Sequence, residues 1–227
     1  MNREAFIAAL RAVGDDRYHH LHPFHQRMNQ GALSPDTIRL WVANRFYYQR
    51  NIPLKDAAIL SNCPERDVRR IWLHRIIDHD GREDAQGGIE AWLRLAEGCG
   101  MDRRKVLAGT DLLPGVRFAV DAYVNFARTQ PWPLAIASSL TELFAPNLMA
   151  ERLAAFQTHY QWVAPWAFDY FETRVTQARI DSSEGLELTI QYCNTPELQA
   201  RAVDALHFKC DVLWSLLDAI AAASDAH

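Results

Sequence analysis

Basic side chains lie on the apolar faces of the predicted helices, at positions where core residues are expected. Arg45, Arg75, His79, Arg174 and Lys209 each share a helical face with large aliphatic or aromatic residues. A charge on such a face is costly unless a partner compensates it, and few acidic residues occupy matching positions. The pattern therefore predicts an internal pocket for a small molecule that carries several carboxylates or phosphates.

Lysine is scarce in this chain, and its positions are informative. The only lysines are Lys55, Lys105 and Lys209, among 24 lysine and arginine residues in total. Lys55 and Lys209 both lie inside apolar runs. This placement indicates that each has a defined role in the pocket. The alternative is that each side chain extends along a helix edge until its ammonium group reaches water.

Length, charge and hydropathy limit the class of protein. The chain has 227 residues, of which 49% are hydrophobic, so it is long enough to bury a large core. Its net charge of −4 implies no general attraction to nucleic acid. No segment is long and apolar enough to span a bilayer, and no basic-then-apolar leader begins the chain. We therefore expect a cytoplasmic protein that binds neither nucleic acid nor membrane.

The four cysteines are widely separated. Cys63, Cys99, Cys193 and Cys210 form no Cys-x-x-Cys pair. We predict buried free thiols of a reducing compartment, rather than a zinc site or a disulfide framework.

Prolines and capping residues divide the chain into helices. Ser34 and Pro35 form a typical helix start, and so do Thr195 and Pro196. Pro53 is expected to kink or break the first of these helices, because proline lacks a backbone N–H. No alternating strand pattern is present. The sequence predicts an all-α fold, a single domain over residues 1–227, built as a helical bundle of about seven helices.

Further boundaries follow from glycine and serine. The polar, glycine-rich residues 81–88 are predicted to form a loop, and residues 163–179 a helix. Ser182 or Ser183 is expected to cap the helix that comes next.

Residues 18–25 contain four histidines within seven residues, which raises the possibility of a metal site. Pro23 interrupts any helix there, and the chain lacks the Glu-x-x-His pairs of diiron proteins. Two Asp-x-x-His pairs, one of them formed by Asp16 and His19, are weak indications that often arise by chance. We predict no metal site.

Phosphate-binding loops, nucleophile elbows and dinucleotide fingerprints are also missing from the sequence.

Tyrosines and one histidine accompany the basic positions. Tyr48, Tyr123 and Tyr170 fall on the apolar faces of three helices, where a buried tyrosine with a satisfied hydroxyl is ordinary core chemistry. Their coincidence with basic residues favours a lined pocket. His79 lies one turn after Arg75, so it is either a structural helix-end histidine or an acid–base group of that pocket.

Several blocks of sequence carry a resemblance to a known family. They are residues 41–49, 52–58, 78–81, 87–95, 113–123, 138–146 and 208–215. Through them the whole chain resembles the pyrroloquinoline-quinone synthase family. The resemblance implies an all-helical, haem-oxygenase-like fold related to thiaminase-like proteins, and a homodimer without metal or organic cofactor. It implies an enzyme that closes a ring in a bicyclic amino-carboxylate precursor and oxidises it with molecular oxygen, giving pyrroloquinoline quinone and releasing hydrogen peroxide.

The resemblance also implies roles for particular residues. His79 would be the principal acid–base group, and Tyr170 and Arg174 would lie beside it where oxygen or peroxide binds. His19 would belong to the pocket wall and is a second candidate for proton transfer. The substrate carboxylates and quinone oxygens would contact Arg45, Gln49, Lys55, Arg75, Arg152 and Lys209. The remaining wall would be formed by Tyr18, Tyr48, Tyr123 and Thr141.

One position departs from the family pattern. Met149 stands where the family has a pocket histidine. Methionine cannot transfer a proton or donate a hydrogen bond. Late oxidation steps are then slower, or a nearby group such as His19 substitutes. Two other functions stay open: a protein that binds the quinone or its precursor without turnover, and a diiron oxidase of the same helical superfamily.

Overall fold

The structure is a computed structural model. It describes the backbone of residues 1–225, and the side chains of these residues except 146 and 174–182. Within this described part, eleven α-helices and three 3-10 helices make up the regular structure, which confirms the all-α prediction. The α-helices are α1 (Arg3–Arg17), α2 (Pro23–Asn29), α3 (Pro35–Asn62), α4 (Arg66–Asp80), α5 (Gly88–Gly98), α6 (Arg103–Ala108), α7 (Pro114–Thr129), α8 (Trp132–Ser138), α9 (Ala145–His159), α10 (Asp169–Tyr192) and α11 (Pro196–Ser224). The 3-10 helices are His19–Leu21, Ser139–Leu143 and Pro165–Phe168.

The predicted number of about seven helices is too low. Short helices such as α2 and α6 are not predicted from the sequence, because they are only seven and six residues long. A helical period is hard to recognise over fewer than about eleven residues.

The predicted starts of α3 and α11 are confirmed. The Ser34 hydroxyl accepts a hydrogen bond from the Thr37 N–H at 3.2 Å. The Thr195 hydroxyl accepts one from the Leu198 N–H, also at 3.2 Å. In both cases proline follows the cap, where its missing N–H is not needed.

Of the two outcomes expected at Pro53, a kink or a break, the break is wrong, since α3 continues from Pro35 to Asn62 with Pro53 inside it. An interior proline costs about 3 kcal/mol in an isolated helix. Here α3 packs against α4, α5 and α7 along its length, and Pro53 itself is buried. We infer that this packing offsets the lost backbone hydrogen bond.

The expected helix start at Ser182 or Ser183 is also wrong, because α10 continues to Tyr192. Serine inside a helix costs only a few tenths of a kcal/mol more than alanine, so it does not force a boundary. Farther along α10, Gly185 lies against Leu140 and Trp72, where an added Cβ would meet the Leu140 side chain at 3.4 Å. Tertiary packing thus extends the helix past the serines.

Aromatic side chains from α3, α5 and α9 form the centre of the core. The rings of Trp41 and Trp92 lie 5.2 Å apart, and Phe156 lies 6.1 Å from Trp41. The Trp92 indole donates a hydrogen bond to the Val42 carbonyl at 2.9 Å. Its ring also meets the Tyr170 ring edge-on at 4.7 Å. The core therefore fixes the start of α10, which carries Tyr170 into the site.

The remaining helices close the bundle around α3. Helix α11 packs against α1, α7 and α8, whereas α10 packs against α8 and α9. None of the helices in residues 1–225 is long and apolar enough to cross a membrane. The four cysteines are buried and free, as predicted.

Candidate active site

An internal cavity lies where the ends and faces of α3, α4, α7, α9, α10 and α11 converge, and its volume is about 60 Å³. Ten of the fourteen predicted site residues line it: Tyr18, His19, Arg45, Tyr48, Gln49, Lys55, His79, Tyr123, Thr141 and Tyr170. The described lining also includes residues that the sequence did not single out: Ile52, Ser139, Glu142, Ala145 and Leu213.

Helix α3 supplies four of the predicted site residues that line the cavity, because of their spacing. Arg45, Tyr48, Gln49 and Lys55 are separated by three, one and six residues, which places them on one helical face. This face is continuous only because α3 does not break at Pro53.

Two basic residues of the cavity have carboxylate partners, and we call this group the paired side. The Lys55 ammonium lies 2.5 Å from an Asp56 oxygen, and Arg75 forms an ion pair with Glu142. The same Asp56 oxygen accepts a hydrogen bond from the Trp72 indole at 2.8 Å and lies 3.9 Å from Arg75 Nε. The sequence prediction missed both acids. The available signal was an aspartate next to a lysine inside an apolar run.

Three other buried arginine and lysine side chains of the described site are Arg45, Arg152 and Lys209. We call these three residues the unpaired side. Each is buried, and none lies within ion-pair distance of a carboxylate in the described part of the chain. Arg45 lies over the Tyr48 ring at 3.9 Å, and one of its terminal nitrogens has no hydrogen-bond partner in the described structure. Burial, followed by the charge of Arg45, lowers the pKa of Arg152 to about 10.

Lys209 lies between two parallel tyrosine rings. Its ammonium donates a hydrogen bond to the Tyr48 hydroxyl at 2.6 Å and lies 3.6 Å from the centre of the Tyr123 ring. The two rings are 6.5 Å apart and tilted by only 7°. Burial is the main cause that lowers the pKa of Lys209 well below its usual value, and the charges of Arg45 and Lys55 add to it. Lys55 and Lys209 are 3% and 1% exposed, so neither reaches water along a helix edge.

A hydroxyl network joins the paired side to this tyrosine pair. Ser139 accepts a hydrogen bond from the Lys55 ammonium at 3.0 Å. Its hydroxyl also lies 3.2 Å from the hydroxyl of Tyr123. Desolvation raises the pKa of Tyr123, so its phenol stays protonated at neutral pH.

His79 is held in one tautomer by its own helix. Its Nδ1 lies 2.9 Å from the Arg75 carbonyl oxygen, which can only accept a hydrogen bond. Nδ1 therefore carries the proton, and Nε2 is the basic atom of the neutral ring. Helix α4 ends at Asp80 and is followed by Gly81, whose φ of 87° suits glycine. A Cβ added at Gly87 would clash with the His79 carbonyl oxygen. These glycines let the following loop close tightly against His79.

Tyr170 faces the cavity from the start of α10. Its hydroxyl accepts a hydrogen bond from the Gln49 side-chain amide at 2.6 Å. The prediction that Arg174 lies beside Tyr170 concerns a side chain outside the described residues.

The wall opposite α4 comes from the chain between α1 and α2 and from α9. The rings of Tyr18 and His19 meet edge-on at 4.4 Å. Burial, and after it the nearby charges of Arg45 and Arg152, lower the pKa of His19 well below its usual value, so His19 is neutral. Met149 lines the cavity at the position where the family resemblance implies a histidine.

The other three described site residues contact the lining rather than form it. Arg75 pairs with Glu142, Lys209 bonds to Tyr48, and Arg152 lies with its Nη1 3.9 Å from the Met149 sulfur. Among the described side chains, no three His, Cys, Asp or Glu groups lie close enough together to hold a metal ion.

Two larger outer cavities adjoin the site. One, of about 330 Å³, lies between the loop after α4 and α10, and Tyr170 belongs to its wall as well. The other, of about 360 Å³, lies between α1 and the start of α9 and shares Tyr18 with the site. One tyrosine side chain therefore lies at each border of the inner cavity.

Comparison with known proteins places the chain in a family. It is 56% identical to a protein named pyrroloquinoline-quinone synthase from Pseudomonas aeruginosa strain LESB58, over 98% of this chain and 89% of the relative. A protein of the same name from Cronobacter sakazakii is 54% identical over 97% of this chain and 87% of its own.

Solved structures with little sequence similarity share the fold. A TenA homolog from Pseudomonas syringae pv. tomato DC3000 superposes with a TM-score of 0.76 at 13% identity, covering 96% of this chain and 92% of its own. A domain with a heme oxygenase-like fold from Shewanella denitrificans superposes with a TM-score of 0.77 at 14% identity, covering 98% of this chain and 91% of its own. Residues 7–219 match the TENA/THI-4/PQQC family profile, and the chain belongs to this family.

Proposed function

We propose that the chain is an enzyme of pyrroloquinoline-quinone biosynthesis. It would close a ring in a bicyclic amino-carboxylate precursor and oxidise the product with molecular oxygen, releasing hydrogen peroxide, without metal or organic cofactor. The name shared by relatives at more than 50% identity supports this pathway. The observation that carries the proposal is the excess of buried positive charge around the cavity.

The charges suit a ligand with several carboxylates. Five described basic side chains surround the cavity, and two described carboxylates face them. With all five protonated, three positive charges are left for a ligand to balance. Buried charges are stable only when they are compensated, so a multi-carboxylate ligand is the occupant that this site favours.

In the proposed mechanism the substrate supplies the redox chemistry. His79 Nε2 takes a proton from the bound precursor, and its fixed tautomer keeps that atom basic. A quinol formed by ring closure then gives two electrons and two protons to oxygen, which yields the quinone and hydrogen peroxide. The Tyr170 hydroxyl accepts from Gln49, so its own proton is available to hydrogen-bond to oxygen or peroxide. The protein contributes positioning, charge compensation and proton transfer.

The cavity must widen before such a ligand can enter. Its volume of about 60 Å³ is well below the roughly 300 Å³ or more that is usual for small-molecule sites. Movement of Tyr18 or Tyr170 would join it to an outer cavity, since each side chain belongs to two walls. We infer that ligand binding shifts at least one of these two tyrosines.

The role of His79 can be tested by single-turnover absorbance measurements on His79→Ala with the bicyclic precursor. A lost general base typically slows proton transfer by about 10²- to 10⁴-fold. We expect quinone formation to slow by that much, while the affinity for pyrroloquinoline quinone changes by no more than a few fold. His74→Ala, at an exposed position of the same helix, is the matched control. Quinone formation at the wild-type rate in His79→Ala would refute the assignment.

Met149 supports a second candidate, a protein that binds the quinone or its precursor without turnover. A thioether in the cavity wall cannot move protons to reduced oxygen. Oxygen consumption on mixing with the precursor separates the two functions, because only the enzyme consumes oxygen. Metal analysis of the purified protein tests the diiron alternative. We also propose, from the family resemblance, that the protein acts as a homodimer in the cytoplasm.

A further inference from the structure

Arg152 on α9 is a buried guanidinium with an unusual partner. It is 1% exposed and donates a hydrogen bond from Nη2 to His25 Nε2 at 2.7 Å. Its Nη1 lies 3.9 Å from the Met149 sulfur, and its guanidinium carbon Cζ lies 5.0 Å from the centre of the Trp41 ring. Within the described side chains its Nε has no hydrogen-bond partner. The positive charge is therefore held by a hydrogen bond but is not compensated.

The hydrogen bond fixes the state of His25. Because a guanidinium can only donate, His25 Nε2 must accept, and the imidazole must be neutral. Burial is the main cause that lowers the pKa of His25 well below its usual value, and the charge of Arg152 is the next. The acceptor is thus present throughout the neutral pH range.

The position of His25 is set by the histidine one turn earlier. His22 caps α2, since its Nδ1 accepts a hydrogen bond from the Phe24 N–H at 3.0 Å. Its Nε2 then carries the proton and bonds to Asp218 on α11 at 3.0 Å. This anchor orients α2 so that the His25 ring lies between Arg152 and His19, whose ring is 4.6 Å away and lines the cavity.

We propose that His25 is a positioning residue, which holds Arg152 directly behind the cavity wall, against Met149, while leaving its charge available to an anionic ligand. The inference rests on the proposed function, because it requires a multi-carboxylate ligand. A carboxylate at this position would hold the guanidinium equally well, but it would also neutralise it. The ligand would then gain less from approaching Arg152. A neutral imidazole supplies the hydrogen bond without that loss.

Two substitutions of equal length separate these effects. His25→Gln keeps a neutral acceptor, whereas His25→Glu adds a carboxylate that the Arg152 charge keeps ionised. We expect the affinity for pyrroloquinoline quinone to stay within about threefold of wild type in His25→Gln and to fall at least about tenfold in His25→Glu. The thermal unfolding midpoint of empty His25→Glu should equal or exceed that of His25→Gln, because the new pair compensates a buried charge. Stability and affinity would then change in opposite directions, which a purely structural role cannot produce.

The controls make the test decisive. His74→Glu adds the same charge at an exposed site and should leave the affinity unchanged. In an Arg152→Gln background, His25→Glu should no longer weaken binding beyond about threefold. Equal affinity of His25→Glu and wild type would overturn the proposal, and so would equal losses in His25→Gln and His25→Glu. If the wild-type protein does not bind pyrroloquinoline quinone at all, that result contradicts the proposed function, and the inference about His25, which rests on it, is contradicted as well.

Discussion

The two sides of the cavity solve the problem of buried charge differently. On the paired side, Lys55 and Arg75 contact Asp56 and Glu142, so the positive charges are balanced within the protein. On the unpaired side, the three basic side chains contact aromatic rings, a hydroxyl and a neutral imidazole instead. Aromatic rings and neutral hydrogen-bond acceptors hold these side chains in position but do not neutralise their positive charge. We infer from this difference that the ion pairs of the paired side stabilise the folded protein, whereas the charges of the unpaired side bind an anionic ligand.

The largest expected effect is on the paired side. Asp56→Asn removes the charge that balances Lys55 and Arg75 but keeps an oxygen for the Trp72 indole. Breaking a buried ion pair from one side costs about 3 to 5 kcal/mol. Chemical denaturation of the empty protein should show a loss of that size. Asp211→Asn, which breaks an exposed pair with Arg17, should cost less than about 1 kcal/mol. Similar small losses in both variants would mean that Asp56 does not stabilise the fold.

Binding should act mainly through the unpaired side. Pyrroloquinoline quinone at about 100 times its Kd should stabilise the folded protein by about 2.7 kcal/mol. For a chain of this length that corresponds to a rise in Tm of about 5 to 10 °C. Thermal-shift titration measures it, and high salt should reduce the rise. A flat titration up to millimolar ligand would show that the unpaired side does not bind this anion.

Acid should weaken the empty protein through His19, whose neighbours include all three basic residues of the unpaired side. The folded pKa of His19 lies well below the ordinary value of 6.5, so the unfolded chain binds the proton first. As the pH falls below 6.5, stability should decrease by about 1.4 kcal/mol per pH unit from this group, until the folded pKa is reached. Denaturation at several pH values should show a shallower decrease in His19→Gln. Identical slopes in the two proteins would argue against a buried neutral His19.

The smallest expected change in the free energy of unfolding is that of Lys209→Met, and it differs from that of Lys55→Met. Lys209→Met removes a charge that burial already disfavours, so the stability of the empty protein should change by less than about 1 kcal/mol. Lys55→Met leaves Asp56 with less compensation and should cost clearly more. Denaturation of both variants side by side provides the measurement. A larger loss for Lys209→Met would reverse the assignment of the two sides.

Much of this arrangement can be predicted from the sequence, because helical periodicity reports which face is buried. The apolar faces predict pocket positions for Arg45, His79 and Lys209, and an apolar run predicts one for Lys55. All four lie at the cavity or in contact with its lining. The starts of α3 and α11 follow from local hydrogen bonding by Ser34, and by the equivalent threonine of α11. Such features depend on neighbours within one turn.

The features that could not be predicted depend on contacts between distant segments. Whether α3 breaks at Pro53 is decided by the helices that pack on it. Glu142 pairs with Arg75 across 67 residues, and His25 meets Arg152 across 127. A single sequence contains no periodic signal for such pairs. Arg152 was found only through the family resemblance, because its helix has no clear apolar face to single it out.

The excess charge also bears on how long the protein lasts in a cell. Proteases mainly degrade molecules that are transiently unfolded, and ligand binding depletes that population. At about 100 times the Kd, the unfolded fraction falls by about 100-fold. Arg45, Arg152 and Lys209 are buried without carboxylate partners in the described part of the chain. We therefore expect the protein to be degraded faster without a bound anion than with one. The amount of this protein would therefore rise and fall with the supply of its own ligand, without a separate regulator.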